Sequence, residues 1–218
     1  MTTHEIKNLE IYGFSDPASG KNRLKKQQAR QAIVLIGADY LLRIYVLYAW
    51  AGRLPTSQYR DKIVELYGKY DPRLFGIESN AMQELFGDLV IDAAREKYGH
   101  CRIIGVPSPT KIEKDFKIRT TLEPLTNWGQ LFIPLDSVEL RSEIAGFPTN
   151  ILKDMIDCLA MAINLIPRRT PQQEKSTELN DYAAYLRDSG APSAYIAEQV
   201  EKMKLEILSK NNQVEEMH

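Results

Sequence analysis

Five short apolar runs change their mode of connection partway along the chain, and that change restricts the fold more than any other feature. The runs LEIYGF (9–14), Ala32 to Ile36 and Arg43 to Trp50 follow one another with no helical pattern between them. Gly37-Ala38-Asp39 supplies a turn signal between the second and third. This is how an antiparallel meander reads. The runs RLFGIES (73–79) and CRIIGVP (101–107) are each preceded by a segment with helical spacing. A strand reached through a helix joins its sheet in parallel. A meander extended by parallel strands predicts an α/β fold with a central mixed sheet flanked by helices.

The helical segments have their own punctuation. Thr56 or Ser57 opens a helix carrying Tyr59, Ile63, Leu66 and Tyr67, expected to end near Gly68. Met82, Leu85, Leu89 and Ala93 mark the apolar face of a second helix stopped by Gly99. The stretch 109–125 predicts a helix broken at Pro124, followed by a short strand in GQLFIPL and one or two helical turns in SVELRSEIAGFP. An apolar helix spans Leu152 to Leu165 and is closed by Pro167. Beyond the polar linker RRTPQQEKS, two helical segments cover Leu179 to Arg187 and Ser193 to Leu208, the latter with a stripe of Ile196, Val200, Met203 and Ile207. With 218 residues, 44% of them hydrophobic, the chain fits one core domain, 1–166, and a linker with a helical tail, 167–218.

Residue counts narrow the chemistry. Two cysteines and three histidines, none in CxxC or HExxH spacing, argue against a zinc site and a Cys/His nucleophile. Any metal chemistry therefore falls to oxygen ligands, which suit Mg²⁺ or Mn²⁺. SDPASGKN (15–22) contains Gly20-Lys21 but is not a phosphate-cradling loop, because Ser15 and Asn22 stand where glycine and Ser/Thr are needed. No run is long enough to span a membrane and no leader is recognisable, so a soluble intracellular protein is expected.

A net charge of −1 gives no overall case for nucleic acid, but the charge is unevenly distributed. Lys21, Arg23, Lys25, Lys26 and Arg30 form an acid-free basic stretch. Lys111, Lys114, Lys117 and Arg119 form a second, and the tail beyond Pro171 is acid-rich. Either basic stretch reads as a solvated face or as a phosphate track.

Acids stand where elements begin or end: Asp16 after the first strand, Glu78 after LFGI, and Asp154 with Asp157 at the start of the apolar helix. Singly, each can shape a turn or complement a helix N-terminus. Together, carboxylates at the C-terminal ends of adjacent parallel strands, under a helix start, face one crevice. Such a group repels itself unless cations sit in it.

The ordered segments IYGFSDPASG, LFGIESN, LTNWGQLFIPLDSVELRSEIAGFP and KDMIDCLAMAI resemble the nuclease domain of viral terminase large subunits, the DNA-packaging motors of tailed bacteriophages. The resemblance covers about residues 9–166. It implies an RNase H-like fold related to the RuvC resolvases, and a metal-dependent endonuclease that cleaves double-stranded viral DNA with low sequence specificity during packaging. On the matched positions it implies Asp16, Glu78 and Asp154 as catalytic residues. With Asp157 they would be ligands of a two-metal Mg²⁺ or Mn²⁺ site. Lys21, Arg23, Lys25, Lys26 and Arg30 become the candidate DNA contacts. Implied partners are double-stranded DNA, the terminase ATPase domain, the small terminase subunit and the portal protein, in the host cytoplasm, with no membrane.

The chain departs from that pattern at Leu152, Lys153 and Cys158, where His, Asp and Ala are usual. Lys153 removes a possible ligand of the second metal, and Asp157 either compensates or only bonds locally. No Walker motif is present, so the chain reads as an excised nuclease domain or a product lacking the motor. Two alternatives share the same acids: a RuvC-like junction resolvase, and a packaging-motor docking module with weak nuclease activity.

Overall fold

The computed structural model describes residues 9–17, 30–79, 84–107 and 114–167, together with 179, 182, 183, 186, 187, 190 and 192–215. Six strands form one sheet: β1 (Glu10–Asp16), β2 (Gln31–Ala38), β3 (Ile44–Gly52), β4 (Leu74–Ser79), β5 (Ile103–Pro107) and β6 (Leu131–Phe132). Their order is β5-β4-β1-β2-β3-β6. β2 runs antiparallel to β1 and β3, while β4, β5 and β6 join in parallel. The expected meander followed by parallel strands is thus present, in a mixed α/β sheet flanked by helices.

Six helices complete the described residues: α1 (Thr56–Tyr70), α2 (Glu84–Tyr98), α3 (Lys114–Asn127), α4 (Val138–Ala145), α5 (Asp154–Asn164) and α6 (Ser193–Glu215). The unbroken apolar run of β2 follows from burial on both faces of the sheet. Ala32, Val34 and Ile36 face one cluster with Tyr12, Phe14 and the buried residues of α5. Ile33 and Leu35 face the other, with Tyr59, Ile63 and Tyr67 of α1 and Phe86, Val90 and Ala94 of α2. α5 packs centrally, so it is apolar nearly all round.

Glycine and phenylalanine alternate across the β1/β4 junction. Gly13 pairs with Phe75, and Phe14 pairs with Gly76. A Cβ on Gly13 would lie 2.3 Å from Phe75 Cδ2, and one on Gly76 would lie 2.7 Å from Phe14 Cδ2. Each aromatic ring therefore lies over a glycine of the neighbouring strand, which fixes the register.

Three elements differ from the sequence reading. In α2 the inward stripe is Phe86, Val90 and Ala94, whereas Leu85 and Leu89 are 73% and 51% exposed. Both stripes have helical spacing, and Phe86 turns inward to stack on Tyr59 at 5.5 Å between centroids. α3 continues through Pro124 to Asn127, anchored by buried Ile118 and Leu122 and continued by the Trp128 amide donating to the Pro124 carbonyl. α1 runs to Tyr70 and stops at Asp71, which takes a left-handed conformation at φ 43°. The segment Leu179 to Arg187 lies largely outside the described residues, and α6 extends past Leu208 to Glu215.

The chain divides into two compact units, the first ending at Ile166 and the second beginning at Pro167. No helix among the described residues is long and apolar enough to cross a membrane.

Candidate active site

Strand direction and register bring the first two acids together. β1 and β4 run in parallel through Ser15 opposite Ile77, so the next residues, Asp16 and Glu78, stand level at their carboxyl ends. Tyr12 and Phe14 point to the α5 face of the sheet, and alternation sends Asp16 the same way. Phe75 and Ile77 point to the opposite face, so Glu78 also faces α5. The two carboxylates are thus neighbours on one face.

Tyr59 fixes the end of β1 from beneath. Its hydroxyl, fully buried, lies 2.8 Å from Ser15 Oγ and donates toward the carbonyls of Asp16 at 3.0 Å and Ala32 at 2.8 Å. Burial pushes the phenol's pKa well up, which keeps it a neutral donor. Buried Cys158 touches the same Ala32 carbonyl from the α5 side; its thiol pKa is also pushed well up by burial, and then by the charge of Asp16.

α5 brings the remaining acids to this edge, each already attended by a cation. Arg30 immediately precedes β2, at the level where Ala32 pairs with Asp16. Its Nε donates to Asp154 Oδ2 at 3.1 Å, its Nη1 to Glu139 at 2.9 Å and its Nη2 to Glu143 at 2.7 Å. Glu143, almost fully buried, uses its other oxygen to accept the Met155 and Ile156 amides, both at 3.0 Å. It caps α5 from a different helix and anchors Arg30 at once. Burial raises the Glu143 pKa, opposed by the Ile156 amide and Arg30.

Asp157 faces two lysines of α3. Lys114 Nζ lies 3.0 Å from its Oδ2 and Lys117 Nζ 2.6 Å from its Oδ1. The Lys117 pairing lacks hydrogen-bond alignment, so charge rather than a directed bond holds that buried oxygen. Burial works against the Lys114 ammonium, but Asp157, Asp16 and Asp154 outweigh it, and its pKa is raised. Lys153 turns away to α3, donating to both carboxylate oxygens of Asp115 at 2.7 Å.

The sequence places Arg30 among the DNA-binding cations; the structure instead seats it between three carboxylates. Lys21, Arg23, Lys25 and Lys26 lie outside the described residues. Glu143, Tyr59 and the lysine pair were not assigned to this site from sequence. The Lys114/Lys117 spacing, three residues apart, does place both on one helix face. Nothing in the sequence signals Glu143, whose partners lie more than ten residues away.

The donor set suits one hard cation better than two. Asp16 and Glu78 stand level at adjacent strand ends, and one or two carboxylates with water and phosphate oxygens are enough for Mg²⁺. At Asp157 both oxygens already face ammonium groups. Among the described residues no three His, Cys, Asp or Glu side chains converge closely enough to hold an ion.

No family model and no curated protein matches the chain. Among solved structures it is similar to the large terminase nuclease from a thermophilic phage, at 16% identity and TM-score 0.49, covering 74% of this chain and 84% of that one. It is also similar to T. thermophilus RuvC in complex with a Holliday junction substrate, at 9% identity and TM-score 0.41, covering 70% and 90%. A third is the yeast mitochondrial Holliday junction resolvase, at 10% identity and TM-score 0.42, covering 73% and 79%.

Proposed function

We propose that this chain is a nuclease that hydrolyses phosphodiester bonds of double-stranded DNA, with its reaction centre at the carboxyl ends of β1 and β4. The observation that carries this reading is the level pairing of Asp16 with Glu78 on the α5 face, beside Asp154. Adjacent carboxylates suit a reaction whose charge develops on phosphate oxygens.

The paired carboxylates of Asp16 and Glu78 would hold a Mg²⁺ or Mn²⁺ ion, with Asp154 beside them at the same sheet edge. That ion would supply Lewis-acid activation of water and stabilise charge on the phosphate. The chain's own residues supply the rest. Tyr59 holds the β1 end so that the Asp16 carboxylate keeps its direction. Arg30 holds Asp154 by its Oδ2. Lys114, half exposed at the rim, is a permanent positive charge close to where a scissile phosphate would lie. The packaging role and the terminase partners belong to the same reading, through the sequence resemblance alone.

Asp16→Asn tests the assignment. Plasmid cleavage in Mg²⁺ or Mn²⁺ should disappear while the melting curve stays within a few degrees of the parent. Cleavage at the parent rate would sink the assignment. A labelled linear duplex run beside a four-way junction separates a packaging nuclease from a resolvase.

A further inference from the structure

We propose that the ammonium groups of Lys114 and Lys117 stand in for a second divalent cation, so that this site takes one metal ion and not two. The inference rests on the nuclease reading above.

A second ion would need Asp157. Mg²⁺ sits about 2.1 Å from its oxygen ligands, and both oxygens of Asp157 are already approached by lysine nitrogens, at 3.0 Å and 2.6 Å. A divalent ion on those oxygens would meet two like charges at contact distance. Lys117 and Asp157 are each only 12% exposed, so water cannot screen that repulsion. Position 153, beside Asp154 at the start of α5, offers no replacement. It is a lysine, and both carboxylate oxygens of Asp115 hold its nitrogen.

The lysines are tied into the fold. α3 carries Lys114, Asp115 and Lys117 within one turn, and all three engage the first turn of α5 or the residue before it. Two directions of ion pairing, lysine to acid and acid to lysine, clamp the helices at this edge. A built-in cation there leaves Asp16 and Glu78 as the pair that takes the exchangeable one. It also places positive charge for the scissile phosphate that a second ion would otherwise provide.

The test is the stoichiometry of Mn²⁺ binding to the full chain, read by calorimetry. One ion per chain is expected, and Asp157→Asn should bind that ion within about threefold of the parent affinity, because Asp157 does not ligate it. The double variant Lys114→Ala/Lys117→Ala should acquire a second ion, provided its circular dichroism melt shows it folded. If it does not fold, the parent and Asp157→Asn still decide the question. Two ions on the parent chain, or a tenfold loss of affinity in Asp157→Asn, overturns the stand-in role and leaves the nuclease reading in place. No Mn²⁺ binding by the parent chain overturns the metal-dependent reading itself.

Discussion

Arg30 shows how one side chain can be read two ways. Within KNRLKKQQAR it is the last of five cations, and in the structure it is the hub of three carboxylates. Sequence reports its charge, but a guanidinium serves phosphate and carboxylate with the same fork, so only tertiary contacts assign the partner. Removing it leaves Asp154 and nearly buried Glu143 without their counter-charge. Arg30→Ala should therefore cost about 3 kcal/mol in urea unfolding. Lys114 makes a pH prediction. Its folded pKa is raised above the ordinary 10.5, so the stability it contributes is fully present below that value. That contribution is lost as pH rises through the higher folded value. The difference in melting temperature between the parent and Lys114→Gln should accordingly stay constant from neutral pH to about 9 and shrink beyond 10.5.

Among the elements, the strands β1 and β4 decide whether a site exists at all, because a slip of one residue would turn Asp16 or Glu78 to the opposite face. The glycine-under-aromatic pairs prevent that slip. Gly13→Ala, with its Cβ 2.3 Å from Phe75, should destabilise the fold by about 1–3 kcal/mol. It should also weaken Mn²⁺ binding, since the strand must shift to admit the methyl. Gly87→Ala on α2 meets nothing within 4 Å and is the control, expected to be neutral or slightly stabilising. Equal melting temperatures for the two variants would show that the register is held elsewhere. At this scale the strands were legible from their apolar runs and breakers, and so was the helical spacing of α1 and α5. The facing of α2 was not. Leu85/Leu89 and Phe86/Val90 are equally periodic, and the choice between them is made by the ring of Tyr59 on another helix.

For the whole molecule, a net charge of −1 means that any DNA track must be local. Beside Lys114 at the scissile phosphate, the stretch Lys21, Arg23, Lys25 and Lys26 is the proposed contact for the flanking phosphate backbone. Replacing these four by alanine should weaken duplex binding evenly across sequences and lower the log-log salt slope by about one unit for every phosphate that is no longer neutralised. Mn²⁺ affinity should not change. An unchanged slope would make the stretch an ordinary solvated face. The sequence by itself determined the mixed sheet, its helical layers and the carboxylates at its strand ends, because hydrophobic period, strand breakers and the chain order of strands and helices are local or topological properties. Which cation answers which acid was decided only by the tertiary structure. Arg30 reaches Asp154, Lys117 reaches Asp157 and Glu143 reaches the first turn of α5 across gaps that no sequence spacing encodes, and the energy of a charge depends on what surrounds it in space.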